Sequence, residues 1–238
     1  MIELTYTLEL ASPLRIGTGI GQAGYLDNTI ARNGSGQAII PGSSLKGKAR
    51  AMSFRLAQGL SIPVHALNSE PGGCPSTTTP CLICRIFGAT QWPGALYFAN
   101  AELHPYLKNI LDDLDREAQK KNQYPKNAVR FGRHVRTSVA LDRRRRVALP
   151  QRLFTHETIQ WPATFGGSIK GEIADLSADY REVALLAAAI EAITHLGGAR
   201  GRGVGRCTLA VQSVTVQGVD FPRERWAAGL AALGEVTQ

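Results

Sequence analysis

Residues 2–10 alternate without a break: Ile2, Leu4, Tyr6, Leu8 and Leu10 fall on one side, and Glu3, Thr5, Thr7 and Glu9 on the other. A period of two over this length fits a strand with one wet and one buried face, and fits no helix. Such a strand cannot stand alone. It needs neighbours at its edges and a second layer over its apolar face. The chain supplies that layer. After Ala38-Ile39-Ile40-Pro41-Gly42, the residues Leu45, Ala49, Met52 and Leu56 recur at helical spacing, in a helix that Ser43 or Ser44 can cap and Gly59 can end. A second helix is expected from about Asp179 to Leu196. The pair Asp179 and Glu182 opens it like a capping box, Leu186, Ile190 and Ile193 face inward, and Gly197-Gly198 stops it.

Further strands are expected at 94–103, Ser168–Ala174 and Cys207–Val216, with a polar helical excursion over 105–121 and a short helical pattern near the C-terminus. The order strand, helix, strand, strand, helix, strand defines an α+β, ferredoxin-like (RRM-like) palm. A single domain over 1–238 accommodates it, with two insertions. One is a loop at 61–92, rich in Pro, Gly, Ser and Thr and containing Cys. The other is a basic segment at 126–162 whose short apolar alternations predict a β-hairpin. No internal repeat is present.

The net charge of +8 comes from one window of the second insertion. From Lys126 to Arg152 there are nine basic residues against the single acid Asp142, and the remaining basic and acidic residues cancel at 18 each. A concentrated cationic segment argues for a polyanion partner. Aromatic residues are only 7% of the chain, which disfavours a base-binding site built mainly from stacked rings. No apolar run reaches membrane-spanning length, so no membrane partner is expected. The N-terminus lacks the basic start and apolar run of a signal peptide. Three of the four cysteines cluster rather than forming an evenly spaced framework, so a reducing cytoplasm is expected.

Two motifs match nucleotide-binding patterns without their context. Gly19-Ile-Gly-Gln-Ala-Gly24 is followed by turn residues, whereas a dinucleotide site needs a helix to open there. Gly42-Ser-Ser-Leu-Lys-Gly47-Lys48 lacks the next hydroxyl, since position 49 is Ala, and it falls inside the predicted helix.

Other clusters carry chemistry of their own. Ser43, Ser44, Lys46, Lys48 and Arg50 crowd the first two turns of a helix, where cations oppose the dipole and a phosphate would relieve them; a capped helix with a solvated basic edge is the plainer reading. Arg200, Arg202 and Arg206 alternate with glycines that permit close backbone approach to a phosphodiester. His65, Cys74, Cys81 and Cys84 have the types and number of a Cys3His zinc site, although buried free thiols would also fit. Arg143 to Arg146 fall between apolar alternations, at a hairpin tip or flank. His104, His134, His156 and His195 lack comparable clustering.

Taken in order, six segments resemble the RAMP superfamily, the repeat-associated proteins of CRISPR effector complexes. They are Ile16-Gly-Thr-Gly19, Ile40-Pro-Gly-Ser-Ser-Leu-Lys-Gly-Lys-Ala-Arg50, Cys81-x-x-Cys84-x-x-Phe87-Gly88, Val139-Ala-Leu-Asp-Arg143, Leu153-Phe154-x-x-Glu157 and Leu196-Gly-Gly-x-Arg-Gly-Arg-Gly-Val-Gly-Arg206. The nearest likeness is to the repeating backbone subunit of type III effectors, which serve antiviral defence. The resemblance implies a palm that lines guide CRISPR RNA as a filament with copies of itself and other effector subunits. It also implies a thumb hairpin that wedges into the guide–target duplex, carrying Arg130, Arg133, Arg136 and Arg143. The glycine-rich loop is expected beside the first helix and the guide. In many such subunits an Asp in the loop before the Pro-Gly-Ser-Ser helix cuts the target RNA. The matching loop is Tyr25-Leu26-Asp27-Asn28, so the role passes to Asp27, with Mg2+ or another divalent ion. Read from the residues alone, Asp27 is ordinary turn chemistry. A non-cutting RNA-binding scaffold of the same superfamily is the alternative.

Overall fold

A computed structural model describes residues 1–21, 26–65, 74, 79–121, 133–174, 176–177 and 179–235. The elements are, in order, β1 (Ile2–Leu10), β2 (Ile39–Ile40), α1 (Gly42–Gly59), α2 (Leu82–Phe87), β3 (Leu96–Phe98), β4 (Ala101–Leu103) and α3 (Pro105–Lys120). They continue with β5 (Arg133–Asp142), β6 (Val147–Ile159), β7 (Thr164–Gly171), α4 (Arg181–Glu191), β8 (Cys207–Val216), β9 (Val219–Asp220) and α5 (Arg223–Glu235).

β1 is the strand that the alternation predicts, and all five of its apolar side chains are buried. Each stabilises by about 2 kcal/mol relative to an exposed position, so a one-residue slip that turned Glu3 and Glu9 inward is excluded. β1 pairs antiparallel with β7 on one side and β8 on the other. β3 and β4 both pair with β7. The order β3/β4–β7–β1–β8 is that of a ferredoxin-like palm, as expected. Helices α1 and α4 pack together, and α5 packs on α4. The other side of β1 carries polar contacts, Thr5 Oγ1 to Ser213 Oγ at 2.6 Å and Gln212 Nε2 to Thr7 Oγ1 at 2.8 Å.

Five local expectations need correction. The strand expected over 94–103 is two short strands broken at Ala99–Asn100. The break seats the start of α1: Gly42 N–H donates to Asn100 Oδ1 at 3.0 Å, and any Cβ on Gly42 would run into Phe98 O. Neither Ser43 nor Ser44 is therefore the N-cap. Pro41 holds that position, and the Asn100 side chain does the capping from another element. The second helix is shorter than expected, beginning after Tyr180 in the left-handed region and ending at Glu191. Asp179 and Glu182 form no capping box: Asp179 pairs with Arg181, while the fully buried Glu182 takes Arg85 and the backbone and hydroxyl of Ser177. Finally, β7 runs over Thr164–Gly171 rather than Ser168–Ala174. The sequence G-x-x-x-x-G-K is helical from its first residue, so no phosphate-wrapping loop exists there.

Candidate nucleic-acid interface and metal centre

The basic insertion is a hairpin of β5 and β6, with Arg143–Arg146 as its turn. Asp142 Oδ1 accepts the N–H groups of Arg144 and Arg145, which closes the turn. Along most of its length β6 is exposed, and only at the root, from His156 to Ile159, does it become buried. There the segment 26–32 docks against it. Asp27 N–H donates to Thr155 O, and Glu157 N–H donates to Asn28 O, each at 3.0 Å. The Glu157 carboxylate, 2% exposed, binds the Arg32 guanidinium and takes the Ile30 N–H at 3.2 Å. Glu157 thus latches the loop that carries Asp27 onto the root of the hairpin.

Asp27 is exposed. Thr155 donates its N–H to Oδ2 at 2.6 Å, and its hydroxyl lies 3.4 Å from the same oxygen. Among the described residues, Oδ1 takes no hydrogen bond. His156, for which the sequence offered no cluster, stands beside this loop. It is bridged to Asn28, its ring centroid is 5.1 Å from that of Phe154, and it faces Arg136 across the β5–β6 ladder. The Arg202 guanidinium lies 5.9 Å from the Phe154 ring. Burial above all, then the charges of Arg15 and Arg202, hold the His156 pKa below the ordinary value; Asp27 pulls the other way and Arg136 adds to the depression. One loop, the hairpin root and the glycine-rich turn therefore converge on a single corner. Only the position of His156 one residue before Glu157 could have flagged it in the sequence.

The cations extend from this corner onto α1. Lys48 has its pKa lowered by partial burial and then by Arg200 and Arg55, so the Arg-Gly loop does lie beside the first helix. Lys46 is lowered by burial and by Arg50, and its amine sits over the Phe98 ring at 5.9 Å. After burial, neighbouring like charges lower both amines, an arrangement that a bound anion would relieve. Among the described residues, none of Arg15, Lys48, Arg50, Arg55, Arg136, Arg200 and Arg202 is ion-paired with a carboxylate. The paired cations, Arg32, Arg85, Arg116, Lys170, Arg181 and Arg223, are other residues. Arg206 is exposed, with its N–H on Ser12 Oγ at 2.8 Å. Arg143 lies at the far tip. Arg130 and the side chain of Arg133 fall outside the described residues.

The glycines of the loop divide by role. At Gly197 and Gly205, both at positive φ, a Cβ would strike Arg15 O and Leu196 O, so these two serve the packing of the loop onto residues 13–16. Gly198, Gly201 and Gly203 face open space and are the ones free to approach a phosphodiester.

The second cluster lies at the start of α2. The ligand atoms of His65, Cys74, Cys81 and Cys84 all fall within 4.8 Å of one another, with His65 Nδ1 at 3.1 Å from Cys81 Sγ and 3.8 Å from Cys84 Sγ. No disulfide joins these cysteines. Burial, and then the neighbouring Cys81 and Cys74, push the Cys84 thiol up to about 12. Three sulfurs and an imidazole gathered this closely fit a tetrahedral cation, and zinc is the ion whose preferences they match.

The family model of the RAMP superfamily matches residues 7–208. The fold is similar to a chain of the type III-B Cmr-beta bound to cognate target RNA, with a TM-score of 0.58, 14% identity, and coverage of 88% of this chain and 96% of that one. It is also similar to a chain of the type III-B Cmr-beta in its apo state, with a TM-score of 0.53, 16% identity and the same coverage. No curated protein matches at the sequence level. Among the described residues, no helix is long and apolar enough to cross a membrane. The matched span takes in much of the palm, the hairpin, the Asp27 loop and the Cys/His cluster, and on that match the chain belongs to the RAMP superfamily.

Proposed function

We propose that this chain is a guide-RNA-binding backbone subunit of a type III CRISPR effector, and that it cleaves bound target RNA through Asp27 and a divalent ion. The observation that carries the reading is the placement of an exposed carboxylate, one oxygen fixed by the Thr155 N–H and the other open, at the corner where unpaired cations from three elements meet. The neighbours of similar fold come from Cmr-beta, one of them bound to cognate target RNA, which favours RNA and other effector subunits as partners. Pairing between guide and target would read the sequence, while the protein holds backbone and shape.

In this reading Arg202, Arg136 and Arg15 hold the phosphates on either side of the scissile bond. Asp27 Oδ1 orients the ribose 2′-hydroxyl. The exposed apolar residues of the hairpin, Leu141, Val147 and Leu153, face the bases. A single divalent ion fits Asp27 better than a two-metal cage, because one carboxylate oxygen is open; it would supply positive charge to the pentacovalent phosphate. His65, Cys74, Cys81 and Cys84 would hold structural Zn2+, pinning a loop that has little core of its own.

The scaffold reading is favoured by one observation. Among the described residues, the only group of three or more metal-ligating side chains is the Cys/His cluster, so Asp27 belongs to no such group. Asp27→Ala separates the two, with Asp27→Asn as the variant that keeps an acceptor for Thr155. The nuclease reading expects cleavage of guide-paired RNA to fall by about 100-fold or more with RNA affinity unchanged. Unchanged cleavage by either variant would sink it, and wild-type protein that binds but never cuts with Mg2+ or Mn2+ would establish the scaffold.

A further inference from the structure

The β5–β6 ladder is not continuous. It runs unbroken from Arg133 opposite Ile159 to Val139 opposite Leu153, and resumes only with Leu141 opposite Ala148 and Asp142 opposite Val147. Between the two parts a single residue of β5, Ala140, faces four of β6, Leu149 to Arg152. A bulge of this kind leaves its extra residues outside the ladder and bends the strand that carries them. Two of the four are ill suited to restoring the ladder. Pro150 has no N–H to donate. Gln151 stands at φ 56°, in the left-handed region that is unfavourable for a residue with a Cβ.

The bulge divides the hairpin into parts with different supports. The root belongs to the palm: Leu14 N–H donates to Ile159 O at 3.0 Å, Ile159 N–H donates to Leu14 O at 2.7 Å, and the Asp27 loop docks on Thr155 and Glu157. The tip is closed on itself. Asp142 O accepts the Arg146 N–H at 2.7 Å, and Asp142 Oδ1 accepts those of Arg144 and Arg145. Every residue from Arg143 to Leu153 is exposed, so no core packing ties the tip to the palm. A two-stranded ribbon without a core is marginal in water, and segments with few buried contacts are the ones that move.

We infer that the hairpin is jointed at Leu149–Arg152. The root stays rigid with the palm, and the tip, residues 141–148, pivots about the bulge as a closed unit. Asp27 is held wholly on the root side of the joint, so the tip can turn without moving the carboxylate. The exposed apolar side chains straddle the joint, with Leu141 and Val147 beyond it and Leu153 on the root. Their spacing is therefore adjustable, where a continuous ladder would fix it. The use of the joint rests on the proposed RNA-binding role: the tip seats against bases while the acid keeps its place. The joint itself does not depend on that role.

Deletion of Pro150, Gln151 and Arg152 tests the joint, because it sets Leu149 opposite Ala140 and keeps every existing pair in register. Spin labels carried on p-acetylphenylalanine spare the native cysteines. One pair replaces Arg145 at the tip and Tyr97 on β3; the control pair replaces Thr137 on the root and Tyr97. All three side chains are exposed. Pulsed electron spin resonance on the full chain, without RNA, reads the distance distributions. In wild type the tip distribution is expected to be at least about twice as wide as the control, and in the deletion variant it should shrink to the control width. Equal widths in wild type, or a deletion variant whose tip stays as wide as wild type with the control unchanged, would overturn the inference. Where the deletion disturbs the control pair, the wild-type comparison decides alone. A guide–target duplex of 2′-O-methyl RNA added to wild type should narrow the tip distribution. An unchanged width in protein that anisotropy shows to have bound the RNA overturns the assigned use, whereas failure to bind overturns the RNA-binding reading and leaves the joint standing.

Discussion

The unpaired cations predict a steep and countable salt response. Seven of them, Arg15, Lys48, Arg50, Arg55, Arg136, Arg200 and Arg202, are drawn together by their mutual influence on Lys48, His65 and His156. If each neutralises one phosphate of a single strand, the slope of log affinity against log salt is about −5, and affinity falls roughly 1000-fold between 50 and 200 mM salt. The perturbation is Arg200→Ala with Arg202→Ala, both exposed in the glycine-rich turn. Losing two contacts should flatten the slope to about −3.5 and cut the loss over the same range to roughly 100-fold. The structural cost is small: among the described residues, the contact forfeited is that of Arg202 with the Phe154 ring, about 0.5–1 kcal/mol at a site this open. Fluorescence anisotropy with a 2′-O-methyl RNA, which cannot be cut at its 2′ positions, reads affinity without interference from cleavage. Arg116→Ala on α3, where Arg116 pairs with Asp113, is the control and should leave the slope alone. An identical slope in wild type and the double variant would refute the placement of RNA on this surface, as would a wild-type slope shallower than about −2.

Other perturbations test individual parts. Glu157→Gln keeps an acceptor for Ile30 but leaves Arg32 without its counter-charge; because Arg32 is partly exposed, urea unfolding should show a loss of about 1–3 kcal/mol rather than more, and cleavage should fall with RNA affinity intact. Purified protein should contain about one zinc ion per chain, and Cys81→Ser or a strong chelator should lower the melting temperature; folded protein free of zinc would end that assignment. The depressed pKa of His156 makes stability depend on acid. The unfolded chain takes up this proton near its ordinary value of about 6.5, before the folded chain does, so the contribution is complete above that pH and is lost as pH falls from there through the lower folded value. Unfolding between pH 7.5 and 5 should show a steeper loss in wild type than in His156→Phe, and equal pH dependence in the two would refute the buried neutral imidazole.

What was legible in the sequence follows from what is local. The alternation in β1, the stripe of α1 and the last strand Cys207–Val216 each carry their period within one segment, and each stands where the pattern put it. The misplaced features are those decided by a partner from elsewhere. Asn100 caps α1 from across the sheet, and nothing near Ser43 or Ser44 announces it. Glu182 looks like a capping residue until Arg85, far away in sequence, takes its carboxylate. Spacing brought the Cys/His cluster close to its final form, because the C-x-x-C pair falls at the start of one short helix and the loop only has to fold back.

The functional corner was half legible for the same reason. Charge is visible in a sequence, so the basic hairpin and the Arg-Gly loop stood out, but charge does not say which end of a hairpin matters. The tip holds four arginines, while the root holds what surrounds Asp27: the Thr155 N–H on its oxygen, the Glu157 latch on its loop, and His156 among Arg15, Arg136 and Arg202. Glu157 is the residue that connects these facts. Its carboxylate is buried where an unpaired charge is costly, and its partners Ile30 and Arg32 lie on the segment bearing Asp27. The Ile30 N–H and the Arg32 guanidinium offset the electrostatic cost of that burial when the loop is docked. The position of the exposed acid is therefore tied to the fold of the hairpin root, and not to the charge density at the tip.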